Sequence, residues 1–349
     1  MANRLAPNLG ALVSKSQSTF IKGRSIQDNF QYVQGAIRHF QRCKSPMLFV
    51  KLEIAKAFDN VRWEYLLEVM QQLGFGQRWR DLVSLLWAST TSRINLNGEM
   101  GRPIKHRKGL RQDDPLSPML FIIAMDPIQR ILDRATTQGL LTPIGADPIK
   151  IRRSLYADDA ALFIKPTQHD LANLQQILQH FGEATGLKTN IQKTELYKIN
   201  CEGLDLDNVL AQFGGHTCCF PCKYLGLPLQ IGRTRRADEQ LLIDKIGARL
   251  PGWKGHLLNK SGRQQLVQSV LSSIPTYYMT VFSLSKWAVK KIDRIQRNFE
   301  DARGGHCLVN WRRVCRAKFL GGLGIKDLQK FNRALRLKWL FMASMAGSR

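Results

Sequence analysis

Apolar residues first gather in the run MLFVKLEI at 47–54, which is short, continuous and rich enough to read as a central strand. The spacing then changes to that of a helix over 64–73, stopped by Gly74, with a second helix near 78–88. Residues 91–97 alternate as a strand does, and Asn97-Gly98 is a turn signal. Asp114-Pro115 is expected to supply the N-cap and first position of the apolar helix at 119–125. In RSLYADDAALFI (153–164), two short apolar arms flank a polar centre, the pattern of a hairpin. A helix over 171–181, ended at Gly186, gives way to extended chain over 188–199. From about Asp238 the signals are mostly helical, with breaks at Pro251-Gly252, Pro275 and Gly321-Gly322.

No internal repeat or low-complexity segment interrupts this order, so a continuous mixed body with a helical extension is expected. At 349 residues, 44% of them hydrophobic, the chain has ample material for a core. Charge changes the picture. Lys and Arg total 52 against 27 Asp and Glu, a net +25 that points to a polyanionic partner, nucleic acid first. Residues 1–230 hold 28 basic and 20 acidic side chains, residues 231–349 hold 24 and 7, so the last third is the expected grip. No leader-type apolar region opens the chain and no stretch reaches about 18 consecutive apolar residues, so neither a signal peptide nor a membrane contact is expected. Seven scattered cysteines fit reduced thiols in an intracellular setting.

Candidate chemistry centres on carboxylates. Asp158 and Asp159 stand side by side at the expected hairpin tip, between small or apolar neighbours that cannot neutralise them. Such a pair suits divalent cations, and two-metal phosphoryl transfer needs oxygen ligands from a second element. The segment KLEIAKAFD (51–59) supplies one, with Glu53 at the end of the expected strand. Taken alone, an adjacent Asp-Asp pair equally suits a turn or a cap.

Seven ordered segments then carry a resemblance: QSTFIKGRSIQDN (17–29), KLEIAKAFDNVRW (51–63), GLRQDDPLSPMLF (109–121), YADD (156–159), GLKTNIQKT (186–194), YLGLPL (224–229) and GGLGIKDL (321–328). Nearly the whole chain resembles the reverse transcriptase of LINE-type, non-LTR retrotransposons, in a plant-like pattern. The resemblance implies an α+β right-hand polymerase fold with an antiparallel palm sheet and a helical thumb. It implies partial fingers over 1–45, palm with interleaved fingers elements over 46–230, thumb over 231–300 and a basic extension over 301–349. It implies an RNA template, a DNA primer or RNA–DNA hybrid, dNTPs, two Mg²⁺ ions with Mn²⁺ as an alternative, and a nuclear location; it leaves the oligomeric state open.

By the same resemblance, Asp158, Asp159 and Glu53 match metal ligands. Phe58 matches the steric gate under the incoming sugar, and Gln112, with Arg111 beside it, the nucleotide-positioning segment. Lys193 matches a lysine that assists departing pyrophosphate. Tyr224, Leu225 and Gly226 match the primer grip. Lys22 and Arg24 are candidate template or phosphate contacts. Charge alone nominates Arg233, Arg235 and Arg236, and Lys254, Lys260 and Arg263, as contacts to a duplex backbone.

Three positions depart from the family. Glu53 stands where it has Asp, Asp113 where it has Gly, and Phe299-Glu300-Asp301 where it has an aromatic-rich sequence. The family's first fingers segment and its endonuclease are expected to lie before Met1. Two readings therefore stand side by side: a reverse transcriptase, and a truncated, impaired relic that retains at most nucleic-acid binding. A maturase-like RNA-binding protein is the third. His216, Cys218, Cys219 and Cys222, and His306, Cys307 and Cys315, lack paired CxxC spacing, so zinc is not expected.

Overall fold

The computed structural model describes the chain apart from residues 15, 145–152, 158, 233, 250–257, 301–308 and 347–349. Two units emerge, Met1–Ile231 and Gly232–Arg349. The first is built on strand β1 (Met47–Leu52). Three strand pairs follow: β2 (Thr91–Ser92) with β5 (Ile104–Lys105), β3 (Asn95–Leu96) with β4 (Glu99–Met100), and β6 (Arg153–Tyr156) with β7 (Asp159–Ile164). Then come β8 (Glu195–Ile199), β9 (His216–Cys218), β10 (Cys222–Tyr224) and β11 (Leu227–Leu229). The main sheet runs β6-β7-β1-β8-β9, antiparallel except for the β8–β9 pair.

Both faces of β1 are covered, which is why its sequence is nearly all apolar. Leu48, Val50 and Leu52 belong to one cluster with Leu66 and Met70 of the Trp63–Gln72 helix, Leu120 and Phe121 of the Ser117–Met125 helix, and Leu171 and Leu178 of the Gln168–Thr185 helix. On the other face, Phe49 meets Phe163 at 5.4 Å, Tyr197 at 5.9 Å and Tyr224 at 6.0 Å between ring centroids. Phe40, from the Ile26–Arg42 helix, packs on Phe163 at 5.2 Å.

Four expected elements differ in detail. The strand at 47–54 ends at Leu52, and Ile54 forms only an isolated bridge to Thr189. The alternating run 91–97 is split between β2 and β3. The chain over 188–199 is broken by a 3₁₀ turn at Ile191–Lys193, held by Asn190, whose side chain accepts from the Lys193 amide. The apolar helix begins at Ser117 rather than Pro115, because Asp114 forms a turn ahead of it and accepts from the Ser117 hydroxyl at 3.0 Å. The predicted helices at 64–73 and 78–88 form at Trp63–Gln72 and Gln77–Ala88, while the one at 171–181 extends to Gln168–Thr185.

The second unit is helical. Buried Glu239, on the Arg236–Gly247 helix, accepts from the Ser285 amide at 2.8 Å and its hydroxyl at 2.6 Å, just before the Lys286–Glu300 helix. Buried Asn332, on the Leu328–Ala346 helix, donates to the carbonyls of Met279 (2.9 Å) and Phe282 (2.8 Å) and so closes the end of the Ile274–Val281 helix. Pro275 sits in that helix's first turn, where its missing N–H is harmless. The expected break at Pro251-Gly252 lies outside the described residues.

Candidate functional site

The β1–β7 register ends with Leu52 paired to Ala160, so Glu53, one residue past β1, and Asp159, the first residue of β7, stand at the same end of the sheet. Phe49 and Phe163 are a directly opposed pair and share one face with Tyr224, and alternation along β7 puts Asp159 on that same face. Glu53 is exposed and Asp159 half-buried. The neighbouring cation, Lys51, is held by Glu195 at 3.1 Å, and Glu195 also accepts from the Tyr197 hydroxyl at 2.9 Å. Asp158 lies outside the described residues. Tyr156 pairs with Asp159 across the hairpin, and Ala157 takes a φ of +55°, a left-handed backbone that a tight turn demands of one of its residues.

Segment 188–193 folds back on the end of β1. The Ala55 amide donates to the Lys188 carbonyl (3.0 Å) and the Asn190 amide to the Glu53 carbonyl (2.7 Å), bringing the turn that carries exposed Lys193 beside Glu53. Phe58 lies in the short Ala57–Asn60 helix with its ring stacked on Phe121, centroids 4.5 Å apart and planes 15° apart. That helix is wedged between two glycines in the left-handed region. A Cβ on Gly109 would come within 2.7 Å of the Asp59 carbonyl oxygen, and one on Gly186 within 2.0 Å of that of Asn60. The Leu110 amide donates to the Phe58 carbonyl (2.7 Å), and Gln112, exposed like Arg111, reaches the Asp59 carboxylate at 3.5 Å. Asp113 has a φ of +63°, a conformation that favours the glycine expected there.

Tyr224, Leu225 and Gly226 join β10 to β11 through a turn in which Leu225 and Gly226 have φ of +47° and +78°. Tyr224 is fully buried, its hydroxyl 3.2 Å from that of Ser154 in β6, so this turn is tied to the strand of the Asp-Asp hairpin.

The structure does not support every nominated contact. Arg24 donates to the backbone carbonyls of Ser14 (2.7 Å), Gly10 (3.1 Å) and Gln17, and partial burial lowers its pKa against the opposing pull of Asp126. It clamps the N-terminal segment instead of facing a phosphate. Arg263 is 9% exposed and donates to the Leu258 carbonyl at 3.2 Å, so it belongs to the interior. Lys22, Arg235, Arg236 and Lys260 are exposed, and Arg236 lies 6.0 Å over the Trp287 ring. Arg233 and Lys254 lie outside the described residues. Of the cysteine clusters, Cys222 is buried, which pushes its thiol up to about 12, and His306 and Cys307 lie outside the described residues.

Sequence reasoning missed the residues that hold these parts. Buried Asn29 donates to the Leu155 carbonyl at 2.7 Å and accepts from the Ser18 hydroxyl, while the Leu155 amide donates to the Ser16 carbonyl at 3.3 Å. Segment 16–29 therefore buckles the outer edge of β6. Gln34, 1% exposed, grips the main chain of Gln230 just after β11 (2.7 Å to its carbonyl, 3.4 Å from its amide). Only the presence of Asn29 within the 17–29 motif could have signalled this.

The Transposon TX1 uncharacterized 149 kDa protein of Xenopus laevis is 25% identical over 295 residues, covering 83% of this chain and 22% of its own length. The Retrovirus-related Pol polyprotein from type-1 retrotransposable element R2 of Nasonia vitripennis is 28% identical over 177 residues, 51% of this chain and 16% of its own. The chain thus spans about a fifth of these relatives. Among solved structures, the Candida albicans telomerase in complex with a fragment of telomeric RNA superposes with a TM-score of 0.54 over 97% of this chain and 51% of that one; at 11% identity the likeness concerns the fold alone. No helix among the described residues is long and apolar enough to cross a membrane. Residues 1–229 match the family described as Reverse transcriptase (RNA-dependent DNA polymerase), and the chain belongs to that family.

Proposed function

We propose that this chain is the polymerase portion of a non-LTR retrotransposon protein, adding deoxynucleotides to a primer on an RNA template, with its rate held down by two of its own residues. The observation that carries this reading is the register that ends β1 at Leu52 against Ala160 and so leaves Glu53 and Asp159 together at one end of the sheet. In this reading residues 1–45 are fingers, 46–230 palm, 231–300 thumb and 301–349 a basic extension.

The donor set fits Mg²⁺ or Mn²⁺: carboxylate oxygens, with the neighbouring Lys51 already engaged by Glu195. Glu53, Asp158 and Asp159 would hold the ions, which when bound neutralise phosphate charge and acidify the primer hydroxyl. The protein's own groups do the rest. The Phe58 ring, braced on Phe121, stands under the sugar and excludes a 2′-hydroxyl. Arg111 and Gln112 orient the triphosphate, and Lys193 supplies a proton or charge to the leaving pyrophosphate. Tyr224, Leu225 and Gly226 support the primer end. Lys22, Arg235, Arg236 and Lys260 offer phosphate contacts.

Glu53 carries one methylene more than Asp, displacing its carboxylate by about 1.5 Å, whereas Mg²⁺ requires near-octahedral oxygens at about 2.0–2.1 Å. Asp113 adds a negative group beside the triphosphate segment. The test is primer extension on poly(rA)/oligo(dT) with Mg²⁺ or Mn²⁺. Glu53→Asp with Asp113→Gly is expected to raise extension above the parent. Asp158→Asn in that background should abolish it without weakening hybrid binding. Equal extension by the Asp158→Asn protein, or none by the repaired one, overturns the assignment.

A further inference from the structure

Between the Gln77–Ala88 helix and the Arg111-Gln112 segment the chain leaves the body as a ribbon in which every residue from Thr91 to Lys108 is exposed. Its pairs are Thr91 with Lys105, Ser92 with Ile104, Asn95 with Met100 and Leu96 with Glu99, and the Gly101 amide donates to the Ile94 carbonyl at 2.8 Å. The register shifts by one residue between the inner and outer pairs, the mark of a bulge on the returning strand. Ile94 and Leu96 alternate onto one face with Ser92, and Ile104, opposite Ser92, joins them. These three apolar side chains are 65%, 71% and 53% exposed. Arg93 and Lys105 alternate to the opposite face, Arg102, Arg107 and Lys108 add to the charge along the ribbon, and Glu99, opposite Leu96 and so on the apolar face, is the only acid in it.

A two-stranded ribbon with no cover on either face is marginal on its own, and an apolar face left in water marks a binding surface. The charge selects a polyanion. Placement narrows it further: Lys108 donates to the Asn60 side chain at 2.9 Å, and the Gly109 and Leu110 amides donate to Val61 and Phe58, so the ribbon is rooted beside Phe58. At about 3.3 Å per residue, its tip at Asn97-Gly98 reaches roughly 20 Å beyond the Thr91–Lys105 pair.

We propose that residues 91–108 form an arm that holds the RNA–DNA hybrid, with Ile94, Leu96 and Ile104 against sugar edges in the wide, shallow minor groove and the flanking Arg and Lys side chains on the bordering phosphates. An A-like groove offers that width, and apolar side chains framed by cations are the chemistry that suits it. The inference rests on the polymerase reading above and adds the surface that would retain its product.

The experiment measures binding of the full chain to a labelled RNA–DNA hybrid of about two helical turns, by anisotropy at several salt concentrations. Arg93→Gln/Arg102→Gln/Lys105→Gln should lower the magnitude of the slope of log K against log salt by about 0.9 for each engaged cation, about 2–3 in all. Ile94→Ser/Leu96→Ser/Ile104→Ser should weaken binding by about tenfold with the slope unchanged, the scale expected for a few partly covered apolar side chains. Circular dichroism confirms that both variants fold. If the parent binds and both variants match it, the arm is refuted while the polymerase reading stands. If the serine variant changes only the oligomeric state, the arm is a protein interface and the proposal falls. A parent with no hybrid affinity overturns both.

Discussion

Replacing Asn29 by Ala tests whether the 17–29 segment positions the Asp-Asp hairpin. The side chain is 7% exposed and serves two partners that are themselves buried, the Leu155 carbonyl (2.7 Å) and the Ser18 hydroxyl, on residues 1% and 6% exposed. Truncation removes both partners at once. An unsatisfied buried polar group costs about 1–3 kcal/mol, and the serine hydroxyl can turn to recover part of its share, so the expected loss is about 2–4 kcal/mol. That loss is local to the edge of β6, so a global melting curve of a two-unit chain is a poor gauge. Native-state hydrogen exchange at the amides of Leu155 and of β7 resolves it: opening should become about 30- to 1000-fold more frequent, whereas amides of the Trp63–Gln72 helix change little. Asn29→Asp keeps the acceptor and loses the donor, and should fall in the same direction. Exchange at Leu155 within twofold of the parent in both variants would refute the buckle and leave the Asn29 hydrogen bonds without a role in holding β6.

Other perturbations separate structural from surface cations. Arg24→Gln and Arg263→Gln should each lower the unfolding midpoint in urea yet leave the salt slope of hybrid binding unaltered, because both guanidinium groups are engaged with backbone carbonyls. Asp113→Gly should be neutral to stabilising by about 1 kcal/mol, since relief of a +63° φ is partly offset by the freer unfolded chain; a destabilisation in urea beyond 1 kcal/mol would contradict that balance. Burial raises the Cys222 thiol pKa above its unfolded value, so its contribution is complete below about pH 8.5 and is lost as pH rises toward 12; Cys222→Ala should flatten the alkaline decline in stability across that window. Iodoacetamide at pH 8 should accordingly label exposed Cys43 and Cys219 well before Cys222.

Local chemistry with a single solution was the part legible in the sequence. The dense apolar run at 47–52 reads as a central strand and YADD between apolar arms as a hairpin, and both form. The strand register, which ends with Leu52 against Ala160, then leaves Glu53 and Asp159 at the same end of the sheet. What escaped depended on burial. Charge counts treat Arg24, Arg263 and Arg236 alike, although one ties down a loop, one is interior and one lies over Trp287. The three-residue β9, parallel to β8, has too few side chains to declare a direction, and the 3₁₀ turn under Lys193 depends on a backbone bond to Glu53, which no periodicity encodes.

The Ala57–Asn60 helix has no slack. Gly109 and Gly186 press on its carbonyls from two loops distant in sequence, and the Gly109 and Leu110 amides fasten it to them. A seat this stiff does not move to accommodate its occupant. Trimming the ring at position 58 therefore opens clearance on the solvent side instead of drawing the backbone inward, about 1.5 Å for each bond removed. The height of the ring at position 58 behaves like a gauge block, set by side-chain length and held to tolerance by two residues that have no side chain at all.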